Sequence, residues 1–524
     1  MQRTREAMMS PLGVPTILSR RSFLAAAGAA ATLTTVGIPA GPAYAQRAGV
    51  LRFGLSSFPP NLAPFEYTGT ASLTVKLALY RSLMSYGQDG SVKPEIAASI
   101  EHPDPLTYTF RIRDNAVFHD GSPVEGEDVK FSYELITAAN SKAYLRADMQ
   151  VIDRIEVVDP KTVRITLKEP TVTFIQVLAS GYAPIVSRAS KAPDYIGAGP
   201  FVLEKAERGS TITVRAFPNF YNAGYPKVGG IQFVAIPDES LRIAALESGD
   251  IDLIEYVSTQ QMARIEDGPS THIASVDGPF MYLMFNTVNG PFRDPRLRQA
   301  VNYAVDRNGL NKFAFSGMGS PIDGLPVPSS PAYDPALVKE RFSFDIAKAK
   351  ALMKQAGVGS LTIELLSTAQ YAQHNDTALV VQQNLAAVGI NANLRLPDWA
   401  SRVALGNEGK YHIGVNGTAG AYNDPDAVST YLDGRQAPSY TRAFGYDNKD
   451  MDALLARGRA ESENARRAEI YAGVERILIN EVPILPLLWR PQAYGLRDRV
   501  KNFAPLPGFL SFQSALRLEQ AELS

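Results

Sequence analysis

Paired carboxylates are the residues of this chain best placed to do chemistry. Asp250 and Asp252 flank Ile251, and Asp424 and Asp426 flank Pro425. Two carboxylates held close together could serve as the acid and base of a hydrolase. The same spacing also suits a simpler role, because aspartates beside a proline or in a Gly-Asp-Ile-Asp turn cap helices and close turns. The sequence supplies no other catalytic set: it contains no Gly-x-Ser-x-Gly elbow, no phosphate-binding Gly-x4-Gly-Lys-Ser/Thr loop and no Gly-x-Gly-x-x-Gly fingerprint. Cysteine is absent, which removes disulfides, thiolate metal sites and cysteine nucleophiles. The five histidines (His102, His119, His272, His374, His412) never fall within one helical turn of each other, so no His-x-x-x-His metal pair forms. No cofactor and no metal are expected, and the aspartate pairs read as capping and turn residues rather than as a catalytic set.

The elements that must position any site come from a chain of 524 residues, too long for one core and expected to divide into two or three domains. A formal net charge of −1 gives no electrostatic footprint for nucleic acid or a polybasic membrane contact. The N-terminus reads as an export signal. Ser19-Arg20-Arg21-Ser22-Phe23-Leu24 precedes an apolar run from Ala25 to Pro39, and Ala43-Tyr44-Ala45 forms a small-residue cleavage site. The run is too weak for a membrane span, which needs roughly 20 strongly apolar residues. Adjacent arginines before Phe-Leu point to the twin-arginine route, and without a lipobox cysteine the exported chain is expected to be free in the periplasm.

Strand and helix periodicities then follow in order. Val50–Leu55 reads as a first strand, left by the loop Ser56–Pro64, and Ser72–Ser82 has helical spacing. In Asp104–Glu134, Tyr108, Phe110 and Ile112 alternate with polar residues as a strand. His119-Asp120-Gly121-Ser122-Pro123 is a turn cluster, and Glu125–Glu134 is a helix with acidic residues at its positive end. Arg154–Val158 and Thr162–Leu167 form a hairpin. In Phe280–Arg307 a strand ends at Asn286 and a helix starts with Asp294 as N-cap and Pro295 at its first position. Leu361–Leu366, Thr377–Val388 and Asn391–Leu396 continue as strand, helix and strand.

These motifs, in this order, resemble the family-5 extracellular solute-binding proteins, the peptide/nickel/oligosaccharide-type receptors of ABC importers. Asp104–Glu134 is similar to the family's "tyTF.LR…FhDG.p.tAeDV.fs", departing at Glu125-Gly126 where Thr-Ala is usual. Gly197-Ala198-Gly199-Pro200-Phe201, Gly249-Asp250-Ile251-Asp252, Phe280–Arg307, Phe344–Leu352 and Ile479–Pro486 resemble five further family segments. The resemblance implies an α/β fold of the two-lobed periplasmic binding protein type II, with an extra subsidiary domain, mixed sheets and a ligand cleft between the lobes. It places lobe I at 46–79, 190–283 and 488–524, the subsidiary domain at 80–189, and lobe II at 284–487.

The resemblance also implies a function: capture of a peptide or peptide-sized solute by hinged lobe closure, delivery to a membrane permease, no catalysis and a monomeric state. The alternatives are a chaperone or sensor on the same fold, or a hydrolase. Cleft residues carried over from the family are Ser57, Phe58, Glu66, Tyr144, Tyr282, Asn286, Trp399, Asn416, Thr418, Ala421, Tyr422 and Asp424. Ala421 stands where peptide-binding members carry the aspartate that pairs with the ligand's ammonium. Peptides with free N-termini are therefore expected to bind weakly unless Glu66, Asp424 or Asp426 supplies the charge. The small uncharged residues of Asn416–Ala421 suit a hydroxylated or amide-like solute instead.

Overall fold

In the computed structural model, which describes residues 49–328 and 333–524, two long strands run side by side through the molecule. They are Thr271–Phe285 and Ile484–Arg497, paired antiparallel. The export signal expected in residues 1–45 lies outside the described residues. Ile484–Arg497 is almost wholly buried, and Thr271–Phe285 is buried throughout from Gly278 onward, as expected where each face of a sheet is covered. Their register shifts between Asp277 and Phe280 and again between Met281 and Tyr282, so the pair bends midway.

Around this pair, among the described residues, one mixed sheet of eleven strands assembles, with Ser320–Pro321 pairing to Ile484–Arg497 off the main order. On one side, Thr271–Phe285 is followed by Ile413–Thr418, Leu361–Leu366 and Ile390–Arg395. On the other, Ile484–Arg497 is followed by Leu253–Ile254, Val50–Leu55, Gly230–Ala235, Thr211–Ala216 and Phe201–Glu207. Val50–Leu55 pairs parallel with Gly230–Ala235, and Leu361–Leu366 pairs parallel with Ile390–Arg395, each through an intervening crossover. Helix Pro295–Ala304 begins as the sequence predicts, with the Asp294 side chain accepting from Arg296 N and Pro295 at the first position.

A separate four-stranded antiparallel sheet takes the order Ala97–Asp104, Thr107–Ile112, Thr162–Leu167, Ile152–Asp159. The turn after Thr107–Ile112 is pinned to another part of the chain. His119 N donates to Gly197 O at 2.9 Å, and His119 Nε2 lies 3.0 Å from Gly199 O. Burial pushes the His119 imidazole down to about 4, so the neutral ring donates to that carbonyl. Glu125 is the N-cap of the following helix, which runs Gly126–Thr137. Glu125 and Asp128 close a reciprocal capping box, which places the helix start one residue later than expected.

Two further boundaries differ from the expectation for physical reasons. The helix expected over Thr377–Val388 runs Ala372–Ala386, because Gln373 and His374 are buried by neighbouring elements despite their polarity. The helix expected over Ser72–Ser82 runs Thr70–Leu79, buried on every side, so apolar periodicity does not mark its ends.

Candidate functional site

The loop leaving Val50–Leu55, the start of helix Trp399–Asn407 and the C-terminal run Gly508–Gln520 contribute the walls of an aromatic cleft. Its main chamber has a volume of about 360 Å³, at the low end of the roughly 300–1,000 Å³ typical of small-molecule sites. Glu66, Tyr67 and Thr68 form one wall, Ser141–Ala147 a second, and Gln436–Arg442 with Asn407 a third. Lys142, Arg146, Arg435 and Arg442 line it, against Glu66 as the single carboxylate in its lining. Two narrow slots lie deeper. One, of about 20 Å³, is bounded by Ser56, Tyr256, Tyr371, Trp399 and Phe512, and the other, of about 10 Å³, by Tyr182, Ala421, Phe509 and Gln513.

Two guanidinium groups stand directly behind these walls. Arg490 is 1% exposed and Arg402 fully buried. The Arg490 guanidinium lies 5.0 Å from the Tyr256 ring centre and 5.8 Å from that of Phe512, both slot residues. It donates to Tyr256 OH at 3.1 Å and to Gln492 Oε1 at 3.3 Å. Arg402 sits over Trp399 and Tyr440 at 5.7 and 5.4 Å and donates to the carbonyls of Tyr440 and Val415. Neither forms an ion pair among the described residues, and the Nε atom of each has no protein partner. Aromatic faces and carbonyls soften the cost of burying a cation but do not neutralise it. Burial, and after it the charges of Arg402 and Arg490, drives the His374 imidazole well below its ordinary value, so it stays neutral; both ring nitrogens lack protein partners.

Backbone geometry aims the aromatics. Tyr256 has φ 60°, a region costly for a bulky residue and commonest at functional positions. Gly69 has φ 108°, and a β-carbon there would lie 3.2 Å from Trp399 Nε1, so glycine lets the loop approach the indole. Glu255, between these elements, accepts from Ser56 N, Ser56 Oγ and Thr74 Oγ1 at 2.8–3.1 Å and anchors the loop rather than facing the cleft.

The twelve residues expected at the cleft are distributed unevenly. Trp399, Tyr144, Glu66 and Ala421 line its chamber or slots. Ser57 stands beside Tyr371, and Phe58 is half-buried against the main core. Thr418 is buried close to Tyr67 and Tyr431. Tyr282 and Asn416 form a layer behind the wall, with Asn416 Nδ2 donating to Tyr282 OH at 2.6 Å and Tyr282 OH donating to Thr441 O. Asn286 is occupied in a turn: its Nδ2 donates to Gly409 O, and its Oδ1 accepts from the amides of Val288 and Asn289. Tyr422 OH donates to Asp426 at 3.2 Å.

The carboxylate pairs are engaged elsewhere. Asp424 caps the Pro425–Val428 turn and is held by Arg467 at 2.5 and 2.8 Å. Asp252 is bound by Arg52 and Arg499, and Asp250 accepts from Ser248. Asp426, fully buried, accepts from Ser429 Oγ at 2.6 Å, and none of the four lines the chamber or its slots. Where the resemblance puts an ammonium-binding aspartate, Ala421 gives its carbonyl to Gln513 Nε2 at 2.9 Å, and a β-carbon on Gly420 would come within 2.4 Å of Phe509.

Sequence reasoning missed Tyr67, Tyr256, Tyr371, Tyr440, Phe512, Arg402 and Arg490. Arg490 carried a readable signal, a lone charge inside the run Ile484-Leu-Pro-Leu-Leu-Trp-Arg490-Pro-Gln. The tyrosines carried none, because 23 tyrosines are spread along the chain with no spacing that separates cleft from core.

The chain belongs to the bacterial extracellular solute-binding proteins of family 5, whose model matches residues 91–439. Proteins of this family are periplasmic solute-binding components of ABC importers, and the chain is one of these binding proteins. It is 39% identical to the binding protein AgaA of A. tumefaciens R10, solved in complex with agropinic acid. That match covers 91% of this chain and 99% of the other, with a TM-score of 0.86. It is 30% identical over 490 residues to the glutathione-binding protein GsiB of Salmonella typhi, covering 89% of this chain and 92% of that one. The DppA protein of Helicobacter pylori, bound to the peptide STSA, shares the fold at 21% identity and a TM-score of 0.81.

Proposed function

We propose that this protein captures a small, hydroxylated, carboxylate-bearing solute of the opine type, for which agropinic acid is the first candidate. The observation that carries the reading is Arg490: a buried guanidinium behind the slot wall, with no carboxylate partner among the described residues. A unit negative charge about 6 Å away, at an effective dielectric of about 20, gains roughly 3 kcal/mol from one such group, and Arg402 adds to it. The 39% identical relative solved with agropinic acid supports an acid. Ala421, backed by Gln513 and Phe509, argues against a free peptide ammonium. Thr68 Oγ1, buried at the chamber wall without a protein partner, suits a ligand that offers a hydroxyl or another hydrogen-bonding oxygen.

In this reading the protein is exported through the twin-arginine signal of residues 1–45, without a lipid anchor, and works as a monomer with no catalysis and no cofactor. Lobe I (46–79, 190–283, 488–524) with its subsidiary domain (80–189) closes on lobe II (284–487), and the closed form delivers its solute to a membrane permease. Thermal-shift screening of the exported chain tests the solute class, since a ligand at a hundred times its Kd stabilises by about 2.7 kcal/mol. Agropinic acid is expected to raise the unfolding temperature while free-amine dipeptides and tripeptides leave it unchanged. Stabilisation by several such peptides, with none by the acid, would overturn the reading.

A further inference from the structure

We propose that Tyr67 sets the upper size of the solute by standing as a partition inside the cleft, an inference that rests on the cleft being the solute site. Tyr67 lines the 360 Å³ chamber and both inner slots, a position no other residue bounding these three spaces shares. Its ring is wedged between elements distant in sequence. Tyr144 lies at 5.1 Å, Tyr182 at 5.6 Å edge-on, and Tyr440 at 6.0 Å and nearly parallel, with 6° between the planes. Tyr440 and Tyr144 belong to different walls of the chamber and Tyr182 to a slot, so the ring touches all three linings. Gly69, two residues on, takes a positive φ that lets the loop lie against Trp399.

The partition divides the cleft into unequal parts. A water molecule needs about 10–15 Å³ of such volume, so slots of about 20 and 10 Å³ each admit one polar group and no more. The bulk of a solute is then confined to the outer chamber, and a single oxygen-sized group passes inward toward Arg490. Removing the ring would join the three spaces beneath the same walls. A phenylalanine would keep the ring and the division, and would remove only the hydroxyl.

Tyr67→Ala, Tyr67→Phe and the wild type are to be compared by calorimetry, using agropinic acid, N-acetylated Ser-Ala and N-acetylated Ser-Thr-Ser-Ala, all acids without a free amine, the two acetylated peptides differing in length. Tyr67→Ala is expected to bind the acetylated tetrapeptide at least about tenfold tighter than wild type and agropinic acid about tenfold weaker, as loss of a filling side chain implies. Tyr67→Phe should keep the wild-type size limit. An unchanged size limit in a folded Tyr67→Ala protein would overturn the partition. The crystal structure of Tyr67→Ala decides the matter whichever solute binds: one continuous chamber supports the partition, and refilling of the gap by Tyr144, Tyr182 or Phe512 contradicts it. Failure of all three acids with the wild type would count against the proposed solute class, while the structure of the variant would still test Tyr67.

Discussion

Arg490 and Arg402 are buried cations whose neighbours are rings, amides and carbonyls. Burying a charge without a counter-charge costs several kcal/mol, and replacing such a group by an apolar side chain of similar volume is often neutral or stabilising. Arg490→Met is therefore expected to leave the solute-free protein as stable as wild type or more so, read from its unfolding midpoint in denaturant. The same substitution should weaken binding of an acidic solute by about 2–5 kcal/mol, roughly 30-fold to several thousand-fold. A large loss of stability would mean that Arg490 serves the fold. Asp424, expected at the cleft from the sequence, is instead the partner of Arg467. Asp424→Asn should lower stability by about 3 kcal/mol or more, because it leaves the part-buried Arg467 without its carboxylate, and should change solute affinity little.

At the scale of elements, the segments that were legible are those whose own chemistry fixes them. Strand Leu361–Leu366 and the start of helix Pro295–Ala304 fall where pattern and cap place them. The stretch from Tyr108 to Glu134 forms strand, turn and helix in the expected order, and His119 holds the turn. His119→Ala should cost about 1–3 kcal/mol by leaving the Gly199 carbonyl without its donor, with solute affinity unchanged by calorimetry. The sign of its pH effect follows from a folded pKa near 4, below the usual 6.5: its contribution is present at neutral pH and fades as the pH falls through that window. What was not legible is what depends on distant neighbours. The thirteen-residue run Gly508–Gln520 is a buried 3-10 helix whose Phe509, Phe512 and Gln513 close the cleft floor. No local pattern distinguishes it from a surface tail. The family motifs identified the scaffold because they are structural, and for the same reason they say little about what the scaffold holds.

At the scale of the whole molecule, walls from separate stretches of sequence meet around one chamber and also around a second cluster of charges. Desolvation raises Asp148 to about 6 and Asp426 to about 7, although Arg459 pulls both down. Asp433, also desolvated, is held at about 2 by hydrogen bonds from Arg435 and Arg459. Asp148 lies on Arg146–Met149, and Asp426, which accepts from Tyr422 OH at 3.2 Å, is pushed up further by the Asp148 carboxylate. An acid whose folded pKa is raised stabilises the packed state fully below its unfolded value near 4, and that stabilisation is lost as the pH rises through about 6 to 7. The unfolding midpoint of Asp426→Asn should therefore vary less between pH 5 and 8 than that of wild type. Equal slopes would show that the cluster does not titrate with folding.

The solute class remains the point on which the molecule's function turns, and titration of agropinic acid into the exported chain and into Arg490→Met addresses it. Saturable binding to wild type, weakened at least about 30-fold in the variant, is the predicted result. Equal binding by the two proteins, or saturable binding of free-amine peptides with none of the acid, would contradict a cleft built around an unpaired arginine.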